Sequence, residues 1–214
     1  FCIMQKTFIQ LSILAAIILL FGVGFFLLGS DKGDLQKDTT KEQLLLSLKS
    51  AAETEDYATF AKHLKTAYEK GWNTEKDFES VESSAYVKAD QTYFIPGNFQ
   101  KTLEISTIVY TQVPQGWRFQ YLRVLALEKL GRMALEQNDL QGAENYASAI
   151  LTMTFRPEGA NLLADVYMKK IEASLAAGNL EDAQSSYLFI KDFEVSEDRR
   201  VLLEALRRKT QNPQ

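Results

Sequence analysis

The stretch LGRMALEQNDLQGAENYASAI, at residues 130–150, decides the fold of this chain. At its centre, Asn138-Asp139-Leu140 combines a residue that tolerates a left-handed backbone, a side chain that can cap a helix and an apolar residue that can pack. Ala143, Ala147 and Ile150 follow the aspartate at offsets of four, eight and eleven residues, and these offsets share one helix face. The stretch therefore predicts two helices joined by a tight turn.

The same turn pattern occurs four times along the chain. The corresponding strings are Glu55-Asp56-Tyr57, Gly97-Asn98-Phe99, Asn138-Asp139-Leu140 and Gly178-Asn179-Leu180. Their middle residues lie at positions 56, 98, 139 and 179, so the pattern repeats at intervals of 42, 41 and 40 residues. The residues at the three offsets are Phe60, Leu64 and Ala67, then Thr102, Ser106 and Val109, then Ala143, Ala147 and Ile150, and finally Ala183, Tyr187 and Ile190. An internal repeat of this kind predicts a stack of helical hairpins.

This repeat predicts an all-α fold of about four hairpins and a last helix. We expect helices at 41–54 and 57–70, 75–88 and 99–112, 117–136 and 140–153, and 158–177 and 180–193. Thr74-Glu75-Lys76-Asp77 is similar to a capping box, and β-branched residues leave a strand open as the alternative for 99–112. Ser196 should cap a helix at 197–209 that closes the stack, with Val201, Leu202 and Leu206 on one side.

The second half of the chain resembles the tetratricopeptide repeat family. The residues that carry the resemblance are Leu130, Gly131, Ala134, the turn at 138–140, Ala143, Ala147, Ile150 and Pro157, followed by Gly178, Ala183, Tyr187 and Ile190. The resemblance covers about 41–193 and is strongest in the second half of the chain. The usual period of the family is about 34 residues, so the longer period here implies longer helices or connections.

The resemblance implies a curved α-solenoid whose inner face is lined by the first helix of each hairpin. The candidate partner-binding residues on that face are Glu128, Arg132, Glu136, Met168 and Glu172. A Lys/Asn-rich clamp for a C-terminal carboxylate is not evident among them, which favours a folded protein or a helix as the partner.

The N-terminal part of the chain predicts one transmembrane helix. Residues 7–30 contain no charged side chain, and Phe8–Leu28 forms an apolar run of 21 residues. About 20 apolar residues cross a bilayer core. A buried core helix and a cleaved signal peptide are the alternatives, but the run is long and lacks a good cleavage site. We therefore expect a stub at 1–7, a span at 8–28, a linker at 29–40, the repeat domain at 41–209 and a tail at 210–214.

The orientation of the span is less strongly specified. Lys6 lies before it and Lys32, Lys37 and Lys41 lie after it, and a strict count of positive charges would leave the domain in the cytoplasm. Large domains translocate largely regardless of charge, however. We expect a bacterial inner-membrane protein with its C-terminal domain on the periplasmic side.

Composition argues against several classes of site. The chain has one His and one Cys, which exclude an intrachain disulfide framework and a multi-His metal site. Its net charge of −4 argues against a general nucleic-acid binder. We find no catalytic constellation around His63 or elsewhere, and we predict no enzyme activity, cofactor, metal or small-molecule substrate. The basic cluster Arg199-Arg200 and Arg207-Arg208-Lys209 can contact anionic lipid or an acidic partner, or be a solvated face.

The predicted function is that of a membrane-anchored scaffold or adaptor. Its partners would be other protein subunits, with membrane lipid around Phe8–Leu28, and it would be an accessory subunit of a membrane or cell-envelope complex. Tyr93 and Phe94, in an irregular aromatic stretch at 90–97, are further candidates for partner contact. The alternative is a pilus-like or secretion-machinery component inserted through the same N-terminal helix, for which a processed Phe1 would be the mark.

Overall fold

The computed structural model describes residues 40–153 and 156–211, and within these ranges the chain is all-helical. Its helices are α1 (Lys41–Glu53), α2 (Tyr57–Glu69), α3 (Lys76–Ala89), α4 (Phe99–Gln112), α5 (Trp117–Glu136), α6 (Leu140–Leu151), α7 (Arg156–Ala176), α8 (Leu180–Ile190) and α9 (Glu197–Gln211). None of these helices has the length and apolar character needed to cross a bilayer. The span predicted at Phe8–Leu28 lies outside the described residues.

The predicted helices are confirmed, with small shifts at their ends. The first, third and fourth pairs pack as hairpins, but the second prediction is wrong in its packing: α3 and α4 make little direct contact, and α4 packs on α2 and α5 instead. The β-branched segment Phe99–Gln112 is helical and not a strand. The segment expected to be irregular after α3 begins as a π-helical turn, Asp90–Phe94, that continues α3 directly. Helix α7 begins at Arg156, so Pro157 lies in its first turn, where a missing amide hydrogen costs no helical hydrogen bond.

All four predicted turns are built alike. The residues before the caps, Glu55, Gly97, Asn138 and Gly178, have φ values of 59°, 90°, 60° and 72°. The N–H of each following residue donates to the carbonyl five positions earlier, over 2.8 to 3.0 Å, which closes the first helix. The side chains of Asp56, Asn98, Asp139 and Asn179 then accept the free N–H three residues later, over 2.9 to 3.2 Å.

The first turn has an additional source of support. Glu55 adopts the left-handed conformation that glycine or asparagine occupies in the other turns. Its carboxylate accepts a hydrogen bond from the Tyr93 hydroxyl and pairs with Lys88 at 3.4 Å. Both contacts lower the pKa of Glu55, and the hydrogen bond from Tyr93 has the larger effect. Lys88 also donates to the carbonyl of Glu53 over 2.6 Å, at the C-terminus of α1.

The residues at the three offsets from each turn form the buried face of the second helices. Eleven of the twelve are buried, and Tyr187 is partly buried. The second unit places polar side chains there, and both are satisfied locally. The hydroxyl of Thr102 donates to the Asn98 carbonyl over 2.9 Å, and that of Ser106 donates to the Thr102 carbonyl over 2.7 Å. Burial of these two residues therefore leaves no hydroxyl without a partner.

Two glycines allow close helix packing around α6. A Cβ atom at Gly131 would lie 2.4 Å from Leu162 Cδ2, and one at Gly159 would lie 3.0 Å from the Ala147 carbonyl oxygen. The second contact is with backbone, which cannot turn aside as a side chain can. Gly131 therefore lets α5 approach Leu162 of α7 and, at 3.2 Å, Tyr146 of α6, and Gly159 lets α7 approach the backbone of α6.

The helices pack in sequence along the chain. The first helices of successive units, α1, α3, α5, α7 and α9, contact one another in that order, and we call them the first-helix row. The second helices α4, α6 and α8 each also contact the first helix of the next unit. One buried cluster extends from Leu44 to Leu122 and a second from Val124 to Leu206, so α5 contributes to both.

Two details of the sequence prediction are wrong. In α9 the buried residues are Leu203 and Leu206, whereas Val201 and Leu202 are 60% and 53% exposed. The face that packs on α7 and α8 is thus rotated from the expected one, and the helix continues to Gln211. The predicted capping box is also absent, because the N-cap of α3 is Glu75, whose side chain makes no capping bond and pairs with Lys41.

We expect Ala143→Leu and Ala183→Leu each to lower the free energy of unfolding by about 1–3 kcal/mol, because a larger side chain overpacks a filled helix contact. Both alanines are fully buried. Urea unfolding followed by circular dichroism measures the effect. The matched control is Ala173→Leu on the exposed side of α7, which should leave stability nearly unchanged; equal effects at all three sites would show that the contact is not tightly packed.

Candidate binding surface

The predicted inner-face residues lie on the first-helix row. Glu128, Arg132 and Glu136 are four residues apart on α5 and therefore share one face of it. Met168 and Glu172 are likewise four apart on α7. The two faces are joined by a chain of ion pairs.

The ion-pair chain crosses three helices of the row. Arg132 of α5 donates from Nε and Nη2 to Glu128 Oε1, over 2.9 and 2.7 Å, and from Nη1 to Asp165 Oδ2 of α7, over 3.3 Å. Arg199 of α9 donates to both oxygens of Asp165, each over 2.8 Å. One carboxylate therefore receives hydrogen bonds from two guanidinium groups on opposite sides.

The ion-pair chain fixes the relative positions of the helices more than it stabilises the fold. The side chains of Arg132, Glu128, Asp165 and Arg199 are 37, 23, 20 and 17% exposed. Ion pairs that water reaches contribute about 0–1 kcal/mol each. The hydrogen bonds that Arg199 donates to Asp165, more than the charge of Asp165, raise the pKa of Arg199. A bidentate arginine contact is strongly directional, and here it fixes the position of α9 relative to α7.

The predicted inner-face residues differ in what they leave available to a partner. Glu128 and Arg132 are engaged with each other and with Asp165. Met168 is partly buried and packs against the second core cluster. Glu136 and Glu172 are exposed, and neither forms an ion pair with any other described residue. Of the five, these two carboxylates are the free polar groups on the surface.

The aromatic candidates Tyr93 and Phe94 are mostly engaged within the chain. Tyr93 donates to Glu55, and the Phe94 ring meets Phe99 edge to face at 5.3 Å between centroids. Both side chains pack against the first core cluster. The exposed apolar residue of this stretch is Ile95, at 69% exposure.

An open groove of about 570 Å³ follows α3 on the first-helix row. Ser80, Ser83 and Ser84 line it together with Val87, Lys76 and the guanidinium of Arg118. Arg118 pairs with Glu79 at 3.0 Å and stacks over the exposed ring of Trp117 at 4.9 Å. Lys88 also lines the groove, so its cations come from both ends of α3 as well as from the start of α5.

Behind this groove lies a buried carboxylate, Glu82, which is 2% exposed. Its Oε2 accepts a hydrogen bond from the Tyr68 hydroxyl over 3.2 Å and lies 3.7 Å from Arg118 Nη1. Its Oε1 has no hydrogen-bond partner among the described residues. Burial raises the pKa of Glu82, with Arg118 and Tyr68 acting in the opposite direction. Burial, followed by the charge of Glu82, raises the pKa of Tyr68 to about 12.

Sequence reasoning did not identify Glu82 or Asp165. Glu82 follows Phe78 by four residues and precedes Ala85 and Ala89 by three and seven, so its register already placed it on the buried face of α3. Asp165 precedes Met168 by three residues and shares the face of α7 with it. The spacing of residues along α7 could not indicate its two arginine partners, because they lie on α5 and α9.

The remaining polar candidates form no reactive cluster. His63 is partly buried, and burial, then the charge of Lys62, lowers its pKa. In residues 40–153 and 156–211, no three His, Cys, Asp or Glu side chains are grouped so as to hold a metal ion. Comparison of the chain with protein-family models, with curated proteins and with solved structures finds no match.

We expect Arg118→Met to lower the free energy of unfolding by about 3–5 kcal/mol at neutral pH, because it leaves the buried carboxylate of Glu82 without its cation. The folded state holds a proton on Glu82 over a pH range in which the unfolded state has released it. Stability from this group is therefore lost as pH rises through the raised pKa. The loss caused by Arg118→Met should accordingly be larger at pH 7 than near pH 4.

The control for this experiment is Glu79→Gln, which removes the exposed partner of Arg118 and should change stability by less than about 1 kcal/mol. The double variant Arg118→Met with Glu82→Gln should recover much of the lost stability. Equal losses in the single and double variants at every pH would contradict a role for the buried carboxylate.

Proposed function

We propose that this chain is a membrane-anchored, tetratricopeptide-repeat-like scaffold or adaptor that binds partner proteins. It would serve as an accessory subunit of a membrane or cell-envelope complex. The observation that carries the proposal is the fourfold turn, in which a residue with positive φ and a capping Asp or Asn recur every 40 to 42 residues. Stacked helical hairpins of this kind typically present extended surfaces for protein binding.

The packing of the helices supports a binding face on the first-helix row. First helices contact one another along the whole row, whereas among the described second helices only α2 and α4 make a substantial direct contact. Elements that approach each other more closely on one side form the inner side of a curve. The first-helix row is accordingly the inner face of the proposed solenoid.

The exposed charges on this face suggest what it recognises. Glu136 and Glu172 are exposed on α5 and α7, one turn after Arg132 and two turns after Asp165. Opposite charges across an interface favour encounter and fix the register of the partners. A partner that presents Lys or Arg side chains fits these two carboxylates best.

We expect Glu136→Lys together with Glu172→Lys to weaken partner capture while leaving the helical content unchanged. Arg132, the cation among the predicted inner-face residues, is unsuitable for charge reversal, since a carboxylate there would face Glu128 and Asp165. The matched control is Glu69→Lys with Glu181→Lys, on exposed positions of α2 and α8. Quantitative identification of proteins that co-purify after gentle detergent extraction measures the effect.

An equal loss of partner in both double variants would point to a general effect of charge. Undiminished capture by the Glu136/Glu172 variant, with capture lost in the control, would move the interface to the second helices.

The membrane attachment rests on the apolar run Phe8–Leu28, and we propose a bacterial inner-membrane protein with residues 41–209 on the periplasmic side. Protease added to intact spheroplasts should then digest these residues. A periplasmic and a cytoplasmic marker protein serve as controls for access and for leakage. Protection in intact spheroplasts, with digestion only after lysis, would place the domain in the cytoplasm.

A further inference from the structure

The last helix carries an exposed face that the packing of the domain does not use. Five residues lie within one third of the circumference of α9, and we call this set the α9 outer face. They are Val201, Leu202, Ala205, Arg208 and Lys209. Leu203 and Leu206, on the opposite side, are buried against α7 and α8. All five residues of the outer face are exposed, Val201 by 60% and Leu202 by 53%.

The structure divides the basic cluster of the sequence into two groups. Arg199 and Arg207 are held within the domain, the first by Asp165 and the second by Glu204 at 2.7 Å. Arg208 and Lys209 form no ion pair with any described residue. Glu204 itself accepts a hydrogen bond from Tyr187 of α8, over 2.6 Å, on the side of α9 away from Leu202 and Lys209. Lys209 therefore has no carboxylate partner in the described part of the domain. Arg208 lies one turn after Glu204, whose pKa is lowered first by the hydrogen bonds from Tyr187 and Arg207 and also by the charge of Arg208.

The charge of α9 also differs from that of the domain before it. Residues 41–196 carry 16 Lys and Arg against 22 Asp and Glu, whereas α9 carries five against three. Two of those three acids are at the start of the helix, and Asp198, the only one on the side of the outer face, lies 3.6 Å from Arg199. The outer face thus combines the exposed apolar side chains of Val201 and Leu202 with the two cations Arg208 and Lys209 about two turns further along the helix.

We propose that the α9 outer face rests on an anionic bilayer surface. Side chains of valine and leucine can enter the boundary of the acyl chains while arginine and lysine remain with anionic headgroups. The contacts between helices in this domain use small residues such as Gly131, Ala143 and Ala183. Two of the five residues of the outer face are long cations, which suit a lipid headgroup layer better than another helix.

Because the proposed anchor already holds the domain at the membrane, a weak affinity of the α9 outer face for lipid is enough for contact. The inference rests on that part of the proposed function. A domain tethered beside a bilayer meets it at a high effective concentration, so that a contact too weak to recruit a free protein still forms. Residues 29–40 separate the predicted span from α1 and can extend over about 40 Å. With the anchor before α1 and a lipid contact at α9, the domain would be held against the bilayer at both ends of its sequence.

The test uses the full chain in lipid nanodiscs, with one environment-sensitive dye. Cys2 is the only cysteine, so Cys2→Ser with Val201→Cys places the dye on the outer face. We expect bluer emission, and quenching by spin-labelled lipid, in discs containing phosphatidylglycerol but not in discs of phosphatidylcholine alone. High salt should reverse both effects. A dye at Ser148→Cys, exposed on α6, should not respond to lipid composition.

Charge reversal at the two cations of the outer face tests whether they are responsible for the lipid contact. Arg208→Glu with Lys209→Glu should abolish the dye response. The loss of each cation should lower the equilibrium constant for contact with the bilayer by at least about fivefold. Lys62→Glu with Lys129→Glu makes the same change of charge on exposed positions of α2 and α5 and should leave the response intact. Circular dichroism shows whether each variant is folded.

The outcomes separate the anchor from the α9 contact. If the chain does not remain with the discs, the proposed anchor is wrong, and with it the tethered contact. If the chain remains with the discs but the Val201 dye ignores lipid composition, the α9 proposal alone is overturned and the face is left for a protein partner. A response that survives Arg208→Glu with Lys209→Glu would overturn it as well.

Discussion

The described part of this chain depends on one backbone constraint, repeated four times. The residue that follows the first helix of each hairpin must adopt a positive φ, and the next side chain must accept a free amide of the second helix. Helix ends leave backbone donors and acceptors without partners, and these turns satisfy several of them within a few residues. Once the chain has reversed in this way, the residues four, eight and eleven positions beyond the cap form the buried face of the second helix. Burial of the core follows from the turn.

This constraint is local, which explains why so much of the fold could be predicted from the sequence. The four turns, the helices that flank them and the buried positions from Phe60 to Ile190 all follow from spacing within a single hairpin. The register of α9 could not be obtained in the same way. Val201, Leu202 and Leu203 are consecutive apolar residues, and only the positions of α7 and α8 determine which of them is buried.

The candidate surface was predictable in its location but not in its chemistry. Spacing placed Glu128, Arg132 and Glu136 on one side of α5, whereas nothing in it indicated that Asp165 would engage Arg132. An ion pair between separate helices depends on how those helices pack, and local periodicity contains no such information. The same holds for Tyr93, whose hydroxyl is bound by a carboxylate 38 residues earlier in the chain. What remains for recognition is the set of groups that these internal contacts leave free, of which Glu136 and Glu172 are examples.

The glutamate in the first turn makes the first hairpin depend on the second. Left-handed backbone costs a side chain such as Glu55 about 1–2 kcal/mol, and the groups that hold it there, Tyr93 and Lys88, belong to the next unit. A fluctuation that opens the π-helical turn removes Tyr93 from Glu55, so local unfolding of the second unit spreads to the first. The turns at Asn138 and Gly178 carry residues suited to that conformation and need no such help. The second, third and fourth hairpins therefore contain their own turn residues, Gly97, Asn138 and Gly178, whereas the turn of the first hairpin takes its support from side chains of the second unit.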